Sequence, residues 1–401
     1  MGTRQRIVVA GGSLAGHSAV TELVGLVPEA EIVWVTGEPH KTYSKPALSK
    51  EFMQARNELA ELTLPDVAGD RPRGLRILRG RSCVSLDASG RVVTLDDGER
   101  IDFDQLLVAT GAAARMPGML RGVDGVFPLR TLDDAVAIRA RLADRPKVAV
   151  VGGGLIGCEL AASVRAFGLD VTIVERLDTL LDRPFGGALG SYFLDLHRAN
   201  GVELVMGAMV ERVALEEGRV AGVHLADGTE IAAGLVLVGA GSEPCTQWLD
   251  GSGLQVGDGV LCDAHLATSS PGIFAAGDVA RWTNPIYGLR MRVEHWTNAS
   301  AQGRAAARNM AALATGRQDL RKAFADVPYF WSDQYGQKIQ MVGWHEGHDR
   351  VELDRSGDVP GPLARFYRNG RLIAAAGVNA PRVVMRLRRQ IEDEARAAEA
   401  A

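Results

Sequence analysis

The feature that most constrains this chain is a short plan written twice. Ile7-Val-Val-Ala-Gly-Gly-Ser-Leu-Ala-Gly16 and Val148-Ala-Val-Val-Gly-Gly-Gly-Leu-Ile-Gly157 each carry a β-branched run into glycines. A helix-like stretch follows each, from Leu14 and from Leu155. A second apolar strand then ends in an acid, in Glu31-Ile-Val-Trp-Val-Thr-Gly-Glu38 and in Asp170-Val-Thr-Ile-Val-Glu175. The echo continues downstream, where Leu95-Asp-Asp-Gly98 leads to Ala109-Thr-Gly111 and Leu225-Ala-Asp-Gly228 leads to Gly239-Ala-Gly241. Self-similarity over such a distance means two units of one topology. The Asp97-Gly98 and Asp227-Gly228 pairs predict hairpin turns between period-two strands.

In the second unit Gly152, Gly154 and Gly157 satisfy the GxGxxG spacing, and Glu175 follows eighteen residues after Gly157. The first glycine permits a tight turn and the second lets a pyrophosphate approach the backbone N–H groups of Leu155 and Ile156. The third allows close helix–strand packing, while the acid accepts from ribose hydroxyls. The first unit departs from the pattern, with Gly11, Ser13 and Gly16 ahead of Leu14 and Ala15. Its acid, Glu38, stands twenty-two residues beyond Gly16. Two dinucleotide-binding units are the simplest account.

Composition excludes other classes. Forty-five basic against forty-nine acidic side chains give a net charge of −4, so neither nucleic acid nor an anionic membrane is expected as a partner. No apolar run approaches the roughly 18 residues that span a bilayer. The start of the chain, which leads straight into Ile7, is too short for a signal-peptide core, and a cytoplasmic protein is expected. Cys83, Cys158, Cys245 and Cys262 are scattered and read as buried thiols in a reducing compartment. His345 and His348 stand close together without a metal-site frame, so that stretch reads as a polar surface loop and no metal is expected.

Several further segments stand in a telling order: Tyr43-Ser-Lys-Pro-Ala-Leu-Ser-Lys50, Ala109-Thr-Gly111, Leu129-Arg-Thr-Leu-Asp-Asp134, Gly272-Ile-Phe-Ala-Ala-Gly-Asp278, Glu294-His-Trp296 and Pro328-Tyr-Phe-Trp-Ser-Asp-Gln334. Over essentially its whole length the chain resembles the FAD-dependent ferredoxin reductases of bacterial oxygenase systems, within the pyridine nucleotide-disulfide oxidoreductases. The resemblance implies an α/β fold of two Rossmann-like, glutathione-reductase-like domains with a C-terminal α+β domain. It places an FAD-binding domain at 1–114 and 242–324, an NAD-binding domain at 115–241 and the α+β domain at 325–401. It implies that the Gly11–Gly16 turn with Ser13, Leu14 and Ala15 holds the pyrophosphate of a non-covalent FAD, and Glu38 its ribose. Cys83, through its backbone, would meet the adenine end. Ala109, Thr110, Gly111, Arg130 and Asp278 match further FAD contacts, and Glu294, His295 and Trp296 line the flavin. Lys45 stands where the family has Arg, which keeps the charge and loses the bidentate fork. The second turn, from Gly152 and Gly154 to Gly157, with Glu175 and Gly241, would take NADH. Arg176 beside Glu175 leaves open a 2′-phosphate or a stack on adenine.

An absence bears on the reaction. Related flavin disulfide reductases carry a cysteine pair on the segment that here reads Lys45-Pro-Ala-Leu-Ser-Lys-Glu-Phe-Met53, which has no cysteine. Electrons are therefore expected to leave the flavin directly for an external acceptor. Lys50 is either a cation that tunes the flavin or a lysine that snorkels to the surface. Glu159 is either an acid that suits a helix N-terminus or the buried partner of Lys50 near the nicotinamide.

Beyond about Asp326 short strands are expected at Lys338–Val342, Ala364–Tyr367 and Leu372–Val378, with Asn369-Gly370 as a hairpin and a helix from Arg382. Tyr329 and Trp331 either line the exposed flavin edge or belong to the core. Arg304, Arg308, Arg382, Arg386 and Arg389 are candidates for docking a small acidic iron–sulfur ferredoxin, or a solvated helix face. Two other readings stay open: an NADH:rubredoxin reductase, and a flavin redox sensor resembling apoptosis-inducing factor.

Overall fold

A computed structural model describes residues 4–67, 74–354 and 360–400. The start of the chain, residues 1–3, lies outside the described residues. The chain divides into two compact units. One comprises Met1–Ser44, Thr63–Ala113 and Glu243–Pro328; the other comprises Lys45–Leu62, Ala114–Ser242 and Tyr329–Ala401.

The first unit is organised by a five-stranded parallel sheet in the order Ile273–Ala275, Gln105–Val108, Arg6–Ala10, Glu31–Thr36, Leu75–Arg79. Ile7, Val8, Val9 and Ala10 are wholly buried, as expected of a strand covered on both faces, which is why it reads as a continuous apolar run. The helix Leu14–Leu26 packs on the helix Trp296–Thr315 through small residues: a Cβ on Gly303 would stand 2.2 Å from Ala15 O. A three-stranded antiparallel sheet, Cys83–Asp87, Val92–Leu95 and Arg100–Asp102, turns at the expected Asp97-Gly98.

The second unit repeats the plan. Its parallel sheet runs Glu203–Met206, Val171–Glu175, Val148–Val151, Leu235–Val238, Val126–Pro128. Its antiparallel sheet is Val210–Glu216, Arg219–Leu225 and Glu230–Ala232, with Asp227-Gly228 in the turn. The fifth parallel strand marks a difference between the copies. In the second unit it comes from just before the glycine turn, and in the first it returns from far along the chain.

Within the second unit, residues from Tyr329 onward form a five-stranded antiparallel sheet ordered Tyr329–Gln334, Gln337–Gly343, Arg371–Val378, Leu363–Arg368, Arg350–Asp354. The helix Pro381–Ala400 follows. Three of these strands and the Asn369-Gly370 turn match the sequence expectation. The strands Tyr329–Gln334 and Arg350–Asp354 are additions to it. Among the described residues no helix is long and apolar enough to cross a membrane.

Candidate functional site

The two glycine turns share their sterics. Gly11 has φ +131°, and a Cβ there would fall 2.0 Å from Ala109 O; Gly152 has φ +106° and would fall 2.5 Å from Gly239 O. Cβ atoms on Gly16 and Gly157 would meet Gly11 O and Gly152 O at 2.0 and 1.9 Å. These four glycines are fixed by the protein's own backbone. Gly154 is different: its Cβ would find nothing nearer than 3.9 Å. The protein itself leaves room for a side chain there, and Ser13 stands at the same place in the first turn.

Both helices begin without a side-chain cap, and their first intrahelical bonds are His17 N–H to Ser13 O and Cys158 N–H to Gly154 O, each 2.9 Å. The N–H groups of Leu14, Ala15 and Gly16, and of Leu155, Ile156 and Gly157, precede those bonds. They are donors suited to a pyrophosphate. In the first unit Gly277, at φ +80°, brings its backbone against Ala15, with a Cβ–Cβ separation of only 2.9 Å if it were alanine. That places the half-buried Asp278 beside the start of the same helix.

The acids are held differently. Tyr43 OH donates to the Glu38 carboxylate. Glu175 accepts from Gly153 N–H at 2.6 Å and from Leu177 N–H at 2.9 Å, so it folds back onto its own glycine turn. Arg176 is exposed. Elsewhere in the first unit Thr110 Oγ1 donates to Cys245 O at 2.8 Å, and Gly111 has φ +69°. The Arg292 guanidinium pairs with Glu294, and burial pushes His295 down to about 4. Trp296, the first residue of its helix, keeps a third of its surface exposed. Burial pushes the Cys83 and Cys262 thiols up to about 12 and Cys158 well above the usual range, so none of the three is a ready thiolate.

In the second unit Lys45 Nζ donates to Arg130 O at 3.3 Å, just ahead of a helix whose cap is a Thr131–Asp134 capping box. Gly241 turns at φ +96°, and its carbonyl accepts from Arg115 N–H. The buried chemistry centres on Lys50 and Glu159. Lys50 Nζ lies 2.9 Å from Glu159 Oε1, with side chains only 9% and 4% exposed, so the surface-lysine alternative fails. Lys50 Nζ also donates to Pro46 O at 3.2 Å. Ser332 Oγ donates to Glu159 Oε1 at 2.6 Å, and Ser49 Oγ donates to Oε2. A buried pair whose remaining lone pairs are hydrogen-bonded is the arrangement that offsets the cost of desolvating both charges.

Sequence reasoning did not single out Ser49, Ser332, Ser163, Gln334, His197 or Tyr335. Ser163 Oγ donates to Ser49 O at 2.6 Å and accepts from Gln54 Nε2 at 3.1 Å, which ties the Lys45–Met53 segment to the helix Leu155–Ala166. Ser49 and Ser332 both lie inside the quoted motifs, next to the residues that were chosen.

One expectation needs correction: Cys158 and Cys262 are buried, but Cys83 and Cys245 are only half-buried. His345 and His348 lie in the expected surface loop, half-buried themselves, with Glu346 and Gly347 exposed between them. His345 Nε2 meets Arg183 O at 2.9 Å, and both rings pack on Phe366 at 5.5 and 5.3 Å. Arg304 and Arg308 are both exposed; Arg308 pairs with Glu22 at 3.0 Å, and Arg304 donates to Ser300 Oγ at 2.5 Å. Arg382, Arg386 and Arg389 are exposed. Tyr329 and Trp331 are half-buried and stacked at 5.9 Å, on the strand face opposite Phe330, Ser332 and Gln334. Among the described residues no group of three or more His, Cys, Asp and Glu is placed to hold a metal ion.

Known proteins share this architecture. Residues 5–303 match the pyridine nucleotide-disulphide oxidoreductase family, and residues 329–401 match the reductase C-terminal family. The chain is 31% identical over 387 residues to putidaredoxin reductase of Pseudomonas putida, covering 95% of this chain and 90% of that one. It is 33% identical over 392 residues to rhodocoxin reductase of Rhodococcus erythropolis, covering 97% and 90%. The crystal structure of a covalent putidaredoxin reductase–putidaredoxin complex superposes with a TM-score of 0.90 at 30% identity, covering 97% of this chain and 93% of that one. The doubled glycine turn, the paired parallel sheets and these matches lead to one assignment: the chain belongs to the pyridine nucleotide-disulphide oxidoreductase family and carries that family's reductase-type C-terminal region.

Proposed function

We propose that this protein is an NADH-dependent ferredoxin reductase that holds FAD non-covalently, works in the cytoplasm and supplies electrons to the ferredoxin of an oxygenase system. The observation that carries this reading is a match to ferredoxin reductases over nearly the whole chain, with the segment Lys45–Met53 free of cysteine. FAD, when bound, takes two electrons from the nicotinamide and releases them singly. Residues 1–114 and 242–324 form its domain, 115–241 that of the coenzyme, and 325–401 the α+β domain.

The chain's own residues bind, orient and set charge. In the first unit Leu14, Ala15 and Gly16 donate N–H groups ahead of the open place at Ser13, Glu38 takes ribose hydroxyls, and Asp278 adjoins the same helix start. In the second unit Gly154 leaves space for a pyrophosphate, and Glu175 is pre-aimed at the turn. A carboxylate there accepts from a ribose diol and repels a 2′-phosphate, which favours NADH. Lys50 fixes a cation in a buried site, and Glu159 keeps that cation compensated. The exposed Arg382, Arg386 and Arg389 suit an acidic protein surface.

The experiment is direct. The purified protein is expected to be yellow, to release unmodified FAD on denaturation, and to reduce a small acidic iron–sulfur ferredoxin with NADH. A covalently retained flavin, no flavin, or reduction of rubredoxin alone would overturn this assignment.

A further inference from the structure

Glu159 is the end of a longer buried chain within the second unit. Ser332 Oγ, which donates to Glu159 Oε1, is 3.0 Å from Gln334 Nε2. Gln334 Oε1 is 3.1 Å from His197 Nε2, and His197 Nδ1 is 3.0 Å from Tyr335 OH. Ser332, Gln334 and His197 are at most 1% exposed. The residues come from the helices Leu155–Ala166 and Gly190–Ala199 and the strand Tyr329–Gln334 with its turn.

An ionised carboxylate can only accept, and this dictates every proton in the chain. Ser332 has one hydroxyl proton and gives it to Glu159, so toward Gln334 it must accept. Gln334 therefore presents its amide NH₂ to Ser332 and its carbonyl oxygen to His197. His197 must then carry its proton on Nε2 and leave Nδ1 bare, and Tyr335 donates to Nδ1. Four donors in series all point toward Glu159. The amide in the middle does not pass protons readily, so the chain works through its aligned dipoles.

We propose that Tyr335, His197, Gln334 and Ser332 are positioning residues that present one fixed donor to Glu159 Oε1, hold that carboxylate in one orientation, and so fix the Lys50 ammonium that shares the same oxygen. This rests on the role given above to Lys50 and Glu159. Burial keeps His197 neutral at pH 7, its pKa pushed down to about 4 against a smaller opposing effect of the Gln334 bond, so the ring has the single N–H the chain requires. Its ring also meets Tyr335 edge-on at 5.2 Å.

The test uses the FAD-loaded protein with ¹⁵N-labelled histidine, the His197 signals being assigned by their loss in His197→Asn. A neutral ring protonated on Nε2 at pH 7 is expected; a proton on Nδ1, or a charged ring, overturns the chain's polarity. Rapid-mixing measurements then follow flavin reduction by NADH. Gln334→Met keeps the volume and removes both dipoles, and it is expected to slow reduction about tenfold, the scale of one charge-assisted hydrogen bond, with NADH affinity and flavin content unchanged. Ser332→Ala is expected to do the same and Ser332→Thr, which keeps the hydroxyl, to retain the wild-type rate. That pair decides the matter if Gln334→Met fails to load flavin. Glu159→Gln with Gln334→Met should be no slower than Glu159→Gln alone, because the chain acts through Glu159. Full-rate Gln334→Met and Ser332→Ala beside a slow Glu159→Gln sink the chain and leave the site reading standing. A full-rate Glu159→Gln sinks the site reading, and the chain with it.

Discussion

Glu38 stands two residues beyond its strand and is held by a side chain, the Tyr43 phenol, whereas Glu175 ends its strand and is held by the backbone N–H groups of Gly153 and Leu177. The same divergence recurs one turn into each helix. Two residues after the last glycine, the second unit has Glu159, paired with Lys50, and the first has Ser18, whose Oγ is 3.0 Å from Ser300 Oγ. The shared backbone makes the same uncapped helix start twice. What distinguishes the copies is that only the second turn helix buries a charged pair. The first packs small residues against another helix, while the second closes on a lysine and two serines. The second turn helix thus carries a fixed buried charge that the first lacks.

The largest effects should come where the copies agree. Gly16→Ala and Gly157→Ala both drive a Cβ to about 2 Å of a carbonyl oxygen. Each is expected to cost about 4 kcal/mol or more, seen as loss of the thermal transition and of bound flavin or coenzyme. Gly154→Ala should melt as the wild type does and lose only coenzyme affinity. Equal destabilisation by Gly154→Ala would remove the distinction between backbone-fixed and ligand-fixed glycines.

Next come the changes that touch the second unit's buried charge. Lys50→Met leaves the Glu159 carboxylate uncompensated and is expected to cost about 3 kcal/mol in denaturant unfolding. Lys50→Met with Glu159→Leu should regain most of that stability while flavin reduction stays slow. If the double variant is no more stable than the single one, the pair does not behave as a pair. His197 adds a pH dependence of similar size. Its folded pKa of about 4 lies below the ordinary value of about 6.5, so the unfolded chain takes up the proton first. Its contribution is complete above pH 6.5 and is lost as pH falls toward 4, by roughly 2–3 kcal/mol. A His197→Asn variant should flatten that acid limb in melts across pH 4–7.5; an unchanged slope would assign the acid loss to other groups.

What the sequence makes legible is local or periodic. The duplicated turn, both Asp-Gly hairpins and the fully apolar strands can be read because a few neighbouring residues carry each signal. The strand Tyr329–Gln334 is hidden for a physical reason: its buried face is Phe330, Ser332 and Gln334 and its outer face Tyr329, Trp331 and Asp333, so polarity does not alternate with burial. The inward Ser and Gln serve the Glu159 chain, whose partners lie 173 residues apart in sequence. The polar, glycine-containing stretch around His345 and His348 is legible as a surface loop, while the Phe366 ring beneath it is not.

A smaller effect separates the acids. Glu175→Ala removes the carboxylate and frees Gly153 N–H, and it is expected to weaken NADH binding about tenfold and narrow its advantage over NADPH. Titration with both coenzymes checks this. A wild type that already prefers NADPH would assign coenzyme choice to Arg176 instead.

The smallest effect expected is none, and it concerns the residue after the last glycine, which is His17 in one copy and Cys158 in the other. Cys158 lies wholly buried with its Sγ 3.4 Å from Gly153 O, while His17 Nε2 meets Pro65 O at 2.8 Å. Cys158 braces its own glycine turn and His17 reaches a segment 48 residues away, and nothing in either role requires a thiol. Cys83 and Cys262 are likewise held as neutral thiols by burial. If electrons leave the flavin directly, replacing Cys83, Cys158, Cys245 and Cys262 by Ala or Ser should leave the rate of ferredoxin reduction within about twofold of wild type. Cys158 fills a packed helix start, so flavin content and the melting transition have to match before rates are compared. Arg386→Glu on the exposed helix supplies the contrast. It should slow ferredoxin reduction and weaken its salt dependence while flavin reduction by NADH is unchanged, because steering acts at the surface and is screened over a Debye length of about 8–10 Å. Loss of electron transfer in a folded, flavin-loaded protein lacking cysteine would restore a thiol to the path and make Cys158 a chemical difference between the two copies instead of a structural one.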